Sequence, residues 1–176
     1  GYDYFALGHV HAREVVRPSD PRIVFPGNLQ GRHAKETGPK GCELVTVEGG
    51  VITAADFVPL EVVRWHQFRL DASGLSSVDA LARHFVAQAR ELVADARDRL
   101  HAVRLLIHGE SVLHRLEAEQ PGSIVAAIQA ATQDLDDADL WIEQVRLDLQ
   151  SPLDRPAAAG RTDAVGEVVR LVDAIG

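Results

Sequence analysis

Apolar residues come in short alternating runs over the first seventy or so positions, and from there a helical repeat takes over. Tyr2 to Leu7, aromatic and apolar, predicts a buried opening strand. Val15 and Val16, followed by Pro18 and Pro21, predict a turn-rich connection, and Arg22 to Phe25 a short strand stopped by Pro26-Gly27. Cys42 to Val47 and Val51 to Val58 read as two strands joined at Glu48-Gly49-Gly50, a hairpin that completes the sheet. Pro59 marks a bend. Leu60 to Leu70 then predicts a strand with Val62, Arg64, His66, Phe68 and Leu70 on one face and Trp65 on the other.

Ser76 or Ser77 can cap a helix whose apolar stripe runs from Val78 through Leu81, Phe85, Ala89 and Val93 to Leu100, about seven turns. Arg83, Arg90 and Arg97 recur along it, but the interleaved Glu91, Asp95 and Asp98 make this a solvated, salt-bridged face. Val103 to His108 predicts a strand, Val112 to Glu119 and Pro121 to Thr132 two helices, and Leu140 to Leu149 a last strand. The inward parity of that strand shifts between Ile142 and Val145, which predicts a bulge at Glu143 or Gln144. The region is a small β-α-β-α-β layer. A linker with Pro152 and Pro156 leads to a helix from Thr162 to Ile175. The fold class is α/β, with boundaries expected after residues 60 and 150.

Composition narrows the setting. With 46% hydrophobic residues, the 176-residue chain can bury a packed core, and an ordered chain is expected. No apolar run of about 18 residues or signal peptide is present, and the single Cys42 cannot pair within the chain, which together predict a cytoplasmic protein without a membrane partner. Cys42 itself is expected to be a buried structural thiol, as His101, His108 and His114 are expected to be structural and Trp141 a packing residue. Of the net charge of −8, residues 67–176 hold −7. Residues 9–40 instead carry six cations (Arg13, Arg17, Arg22, Arg32, Lys35, Lys40) against three acids, so nucleic-acid contacts are expected there.

Candidate chemistry sits in that basic stretch. Gly8-His9-Val10-His11 follows an apolar strand, and histidines at i and i+2 on an extended backbone can reach one metal ion or two adjacent ones. With 14 Gly and 8 His in the chain, chance supplies this spacing only about 0.03 times. The end of a strand is also where open α/β sheets place ligands. A second loop, Pro26-Gly27-Asn28-Leu29-Gln30-Gly31-Arg32-His33, displays Asn28, Arg32 and His33 as candidate substrate-binding residues, its glycines allowing close backbone approach.

These two loops, with Val24-Phe25 before the second and Lys35-Glu36-Thr37-Gly38-Pro39-Lys40-Gly41 after it, resemble the carboxyl-terminal third of calcineurin-like metallophosphoesterases, and within them the SbcD-like and YhaO-like DNA-repair exonucleases. Val63-Arg64-Trp65 resembles the exit from the family's phosphoesterase domain. The resemblance implies the last strands of a metallophosphoesterase sandwich over residues 1–60, an α/β capping domain over 61–150, and a linker and helix over 151–176. It implies that His9 and His11 each bind a different ion of a dinuclear site, usually manganese. The family's earlier metal motifs are absent from this sequence. The chain therefore reads as the carboxyl-terminal part of a longer exonuclease, with no catalytic residue of its own and inactive alone, because two histidines cannot hold two ions.

The resemblance also implies DNA as substrate, an SbcC-like ATPase as partner, and a homodimer as a possible state of the full-length protein. Two other readings stand beside it: a phosphoesterase acting on small phosphodiesters, which needs neither the basic loop nor the cap, and a non-catalytic module binding a partner ATPase.

Overall fold

The computed structural model describes residues 1–135, 139–152, 160 and 162–175. Strands β1 (Tyr4–Ala6), β2 (Glu14–Arg17) and β3 (Arg22–Phe25) form a sheet in the order β1-β3-β2, with β1 parallel and β2 antiparallel to β3. The strand β2 was not expected from the sequence. Its Val15 and Arg17 bracket a bulge at Val16, and Pro18 and Pro21 lie beyond its end rather than within it. Nor is β1 buried: it is three residues long, hydrogen-bonded on one edge only, and its Phe5 is exposed, with the Tyr2 ring 5.5 Å away.

Strands β4 (Gly41–Glu48) and β5 (Val51–Pro59) make the expected hairpin, and Gly49 and Gly50 both take positive φ, as its tight turn requires. They form a sheet of their own instead of extending the first one. Cys42, at the start of β4, is half-buried rather than buried.

Strands β6 (Val63–Asp71), β7 (Leu100–Glu110) and β8 (Leu140–Gln150) are all parallel and lie in the order β6-β7-β8. The connections are α1 (Val78–Val93) and the pair α2 (Leu113–Glu119) and α3 (Ser123–Ala131), the last ending in a 3-10 turn. This is the α/β class expected. Side chains packed toward the helices (Leu70, Leu105, Ile107, Leu81, Phe85, Leu113, Ile124, Ile128) are fully buried and form the core. Ser77 caps α1 through its hydroxyl, which accepts from the Ala80 amide at 3.1 Å. The bulge in β8 is present, Val103 pairing with Ile142 and Arg104 with Gln144, so that Glu143 is the extra residue. Its carboxylate takes two hydrogen bonds from Arg104, at 2.8 and 2.9 Å.

Helix α1 ends two turns before the sequence pattern does. Arg64 on β6 donates to Asp95 at 3.1 Å, and Arg99 donates to the carbonyls of Glu61 at 2.9 Å and Pro59 at 3.3 Å. These tertiary bonds hold residues 95–99 off the helix, and Leu100 instead pairs with Val63 in the sheet. Their hub is Glu61, 2% exposed, whose carboxylate also takes Arg64 Nε at 2.7 Å and the Lys40 amide at 3.0 Å.

Parallel sheets are commonly covered on both faces, whereas here the face away from the helices is open. It carries Gln67, Arg69, Arg104, Leu106, Arg146 and Asp148, polar enough to face water. Trp141 lies there 52% exposed, edge-on to Trp65 with ring centroids 6.3 Å apart, so its packing is partial. The outer edge of β6 is closed by residues 30–38. Gln30 donates to Val63 O at 2.7 Å and accepts from Val62 N at 2.9 Å; Trp65 Nε1 donates to Gly31 O at 3.0 Å; Gln67 donates to Ala34 O at 2.9 Å. An edge covered in this way is closed to strand addition. The linker expected over 151–160 lies largely outside the described residues, and the last helix, α4, spans Ala164–Ile175.

His101, fully buried, is structural as expected. Its Nε2 donates to Ala96 O at 2.8 Å, and its Nδ1 lies 2.9 Å from His66 Nε2. Burial, then the neighbouring His101 and Arg64, push His66 from 6.5 down to about 4, against the opposing pull of Asp95. The unfolded chain therefore binds more protons than the folded one between those values, and stability is lost as pH is lowered across the same window. Urea midpoints measured from pH 7 to pH 4 are expected to drop less in His66→Phe than in the parent chain; equal drops would remove this pair as the cause.

Candidate functional site

Glycine builds the site. The chain leaves β1 through Gly8 into His9, which takes a positive φ of 78°, a conformation uncommon for a residue with a β-carbon and frequent where strain serves function. His11 follows two residues on. The second loop packs directly against it. Gly27 has φ of 81° and lies so close that a β-carbon there would sit 2.9 Å from His11 O and 3.1 Å from Arg13 N. The Asn28 amide donates to His11 O at 3.2 Å, as does Lys40 Nζ at 3.3 Å.

Four of the five residues singled out in the sequence meet at a sixth, Glu36. His11 Nδ1 lies 2.6 Å from Glu36 Oε1, and His33 Nε2 lies 3.8 Å from the same oxygen. Glu36 Oε2 accepts from Asn28 Nδ2 at 3.1 Å and from the Arg32 amide at 2.8 Å. The hydrogen bond from His11, then that from the Arg32 amide, hold the Glu36 carboxyl down to about 2, so it is ionised at any ordinary pH. His9 stands apart from this cluster, exposed to solvent. Asn28 uses its amide hydrogens on Glu36 and on Gln30 O at 3.0 Å, which leaves Asn28 Oδ1 buried with no partner. The Arg32 side chain is exposed, and His33 accepts from the Lys35 amide at 3.2 Å. Sequence reasoning gave Glu36 no role. Its one signal was position, an acid in the middle of a basic glycine-bounded loop.

The basic stretch is less cationic than its composition. Arg13 reaches Glu43 at 2.6 Å, Arg22 reaches it at 3.4 Å, and Lys40 is buried against the His11 carbonyl. Arg17, Arg32 and Lys35 have no ion-pair partner among the described residues. Two imidazoles, one of them oriented by a carboxylate, suit divalent ions such as zinc and iron, and manganese where further oxygen ligands complete the set. The donor set is partial, since no group of three or more His, Cys, Asp or Glu side chains is placed to hold an ion among the described residues.

Residues 65–150 match the family model of the middle domain of the metallophosphoesterase YhaO. An uncharacterized metallophosphoesterase YhaO of Bacillus subtilis (strain 168) is 32% identical over 148 residues, which are 84% of this chain and 35% of that protein. Both comparisons support the metallophosphoesterase family. This chain thus spans about a third of the length of the curated metallophosphoesterase it matches. No solved structure matches it. Among the described residues, no helix is long and apolar enough to cross a membrane.

Proposed function

We propose that this chain is part of a longer metal-dependent phosphodiesterase that hydrolyses DNA, to which it contributes His9 and His11 as ligands of two divalent ions, manganese foremost. The observation that carries the reading is the pairing of His11 Nδ1 with Glu36, which leaves the other ring nitrogen of a half-exposed imidazole unused, two residues from His9 in its left-handed conformation. Bound ions of this kind supply Lewis acidity, stabilising charge on phosphoryl oxygens and lowering the pKa of water. His9 and His11 hold and orient; neither has to transfer a proton. Arg32 and Lys35, exposed and without an ion-pair partner among the described residues, are available to meet phosphate oxygens of an incoming strand. Their number is small. With Arg13, Arg22 and Lys40 engaged elsewhere, the same geometry would also serve a small phosphodiester.

The test compares substrates in the full-length protein. Duplex DNA and bis(p-nitrophenyl) phosphate are each incubated with manganese, after treatment with EDTA, and after manganese is restored. Activity on DNA that is lost with chelation and recovered with manganese is the expected result. Turnover of the small diester with no attack on DNA would move the substrate to the small-molecule class, and activity indifferent to EDTA would end the metal assignment.

A further inference from the structure

We infer that Glu36 is a positioning residue that locks His11 as its Nδ1–H tautomer and so keeps the Nε2 lone pair free for a divalent metal ion. The inference rests on the reading proposed above. A carboxylate can only accept, so the nitrogen 2.6 Å from Glu36 Oε1 has to carry the proton, and in a neutral ring the other nitrogen then has a lone pair. Which nitrogen of a metal-binding histidine is free is commonly decided in this way, by a hydrogen bond at the opposite side of the ring.

The lock is firm because Glu36 cannot turn. Its side chain is 10% exposed, and its second oxygen is held by Asn28 Nδ2 and by the Arg32 amide. Asn28 is fixed in turn by Gln30 O, and its own backbone carbonyl accepts from Gly41 N at 3.2 Å. The loop is pinned again on its far side, where a β-carbon on Gly31 would lie 2.8 Å from Glu36 O and 3.0 Å from the Trp65 ring. His11 by contrast is 49% exposed. Its ring is restrained less by packing than Glu36 is, and the carboxylate is its hydrogen-bond partner.

This arrangement makes Glu36→Gln a sharper probe than Glu36→Ala. Asn28 Nδ2 and the Arg32 amide are both donors, so a glutamine amide has to turn its oxygen toward them and its NH2 toward His11. That reverses the hydrogen bond. His11 Nδ1 becomes the acceptor, the proton moves to Nε2, and the metal-binding nitrogen is blocked. Alanine only removes the restraint. A purely structural role would rank the variants the other way, the isosteric glutamine being the milder change.

The experiment has two parts. Nitrogen-15 NMR of the histidine rings in this chain, near neutral pH, is expected to show His11 protonated at Nδ1 in the parent and at Nε2 in Glu36→Gln. Manganese titration of the full-length protein by calorimetry is expected to show an affinity lower by about 10- to 100-fold in Glu36→Gln, with a smaller loss in Glu36→Ala. An Nε2–H tautomer in the parent chain overturns the inference. So does a Glu36→Gln protein that binds manganese as the parent does while His11→Ala does not, or an alanine variant weaker than the glutamine one. If His11→Ala leaves manganese affinity unchanged, the metal reading itself fails, and the NMR result still decides whether Glu36 sets the tautomer.

Discussion

Replacing His9 and His11 together by alanine is expected to lower manganese-dependent hydrolysis by the full-length protein about a thousandfold or more. A metal acting as Lewis acid contributes several kcal/mol to the transition state, and each 1.36 kcal/mol is a factor of about ten in rate. The folded state gives up little in exchange. His9 sits exposed in a left-handed conformation that is only somewhat less favourable for alanine than for histidine, and the His11 side chain is 49% exposed with Glu36 as its hydrogen-bond partner. Thermal midpoints should therefore stay close to the parent while activity and manganese stoichiometry fall together. Near-normal turnover in the double variant would show that neither imidazole is a ligand.

The largest effect on stability is expected at Glu61. Removing its carboxylate by Glu61→Ala strands Arg64, 4% exposed, with only the solvent-facing Asp95 as counter-charge, and frees the Lys40 amide at a buried position. Breaking a buried pair from one side costs about 3–5 kcal/mol, because the remaining charge stays out of water. The exposed Arg115 and Glu119 pair on α2 supplies the contrast, and Arg115→Ala is expected to leave the urea midpoint almost unchanged, because solvent screens the pair. Urea denaturation of both variants in one buffer measures the difference. Equal midpoints would mean that the Glu61 network is solvated and holds little.

Local signals carried over into the structure wherever neighbours agreed with them. The Ser77 cap and the first four turns of α1 were legible because both depend on residues within one turn of each other. The parity shift in β8 was legible for the same reason, being a matter of counting along one strand. The end of α1 was not. Residues 94–100 continue the apolar period, and only Glu61 and Arg64, more than thirty positions away, take them off the helix. The strand β2 was hidden by its flanking prolines, and its pairing with β3 is a tertiary fact.

The site divides along the same line. His9 and His11 stood out through spacing and a preceding strand, and Asn28, Arg32 and His33 through their glycine-bounded loop. Glu36 did not stand out, since its meaning comes from a loop that folds back to bring it to His11 across 25 positions. The count of cations misled in a related way. Glu43, on a different sheet, neutralises two of them.

The supernumerary residue in β8 also sets where that strand can change length. Ile142 pairs with Val103 and Gln144 with Arg104, so deleting Glu143 would join two stretches that are already in phase. Loss of a single residue from the strand beyond the bulge would turn part of it over, trading inward side chains such as Leu147 and Leu149 for the polar ones between them. The bulge is thus a built-in splice point, the place at which the layer can gain or lose a residue without its two faces changing sides.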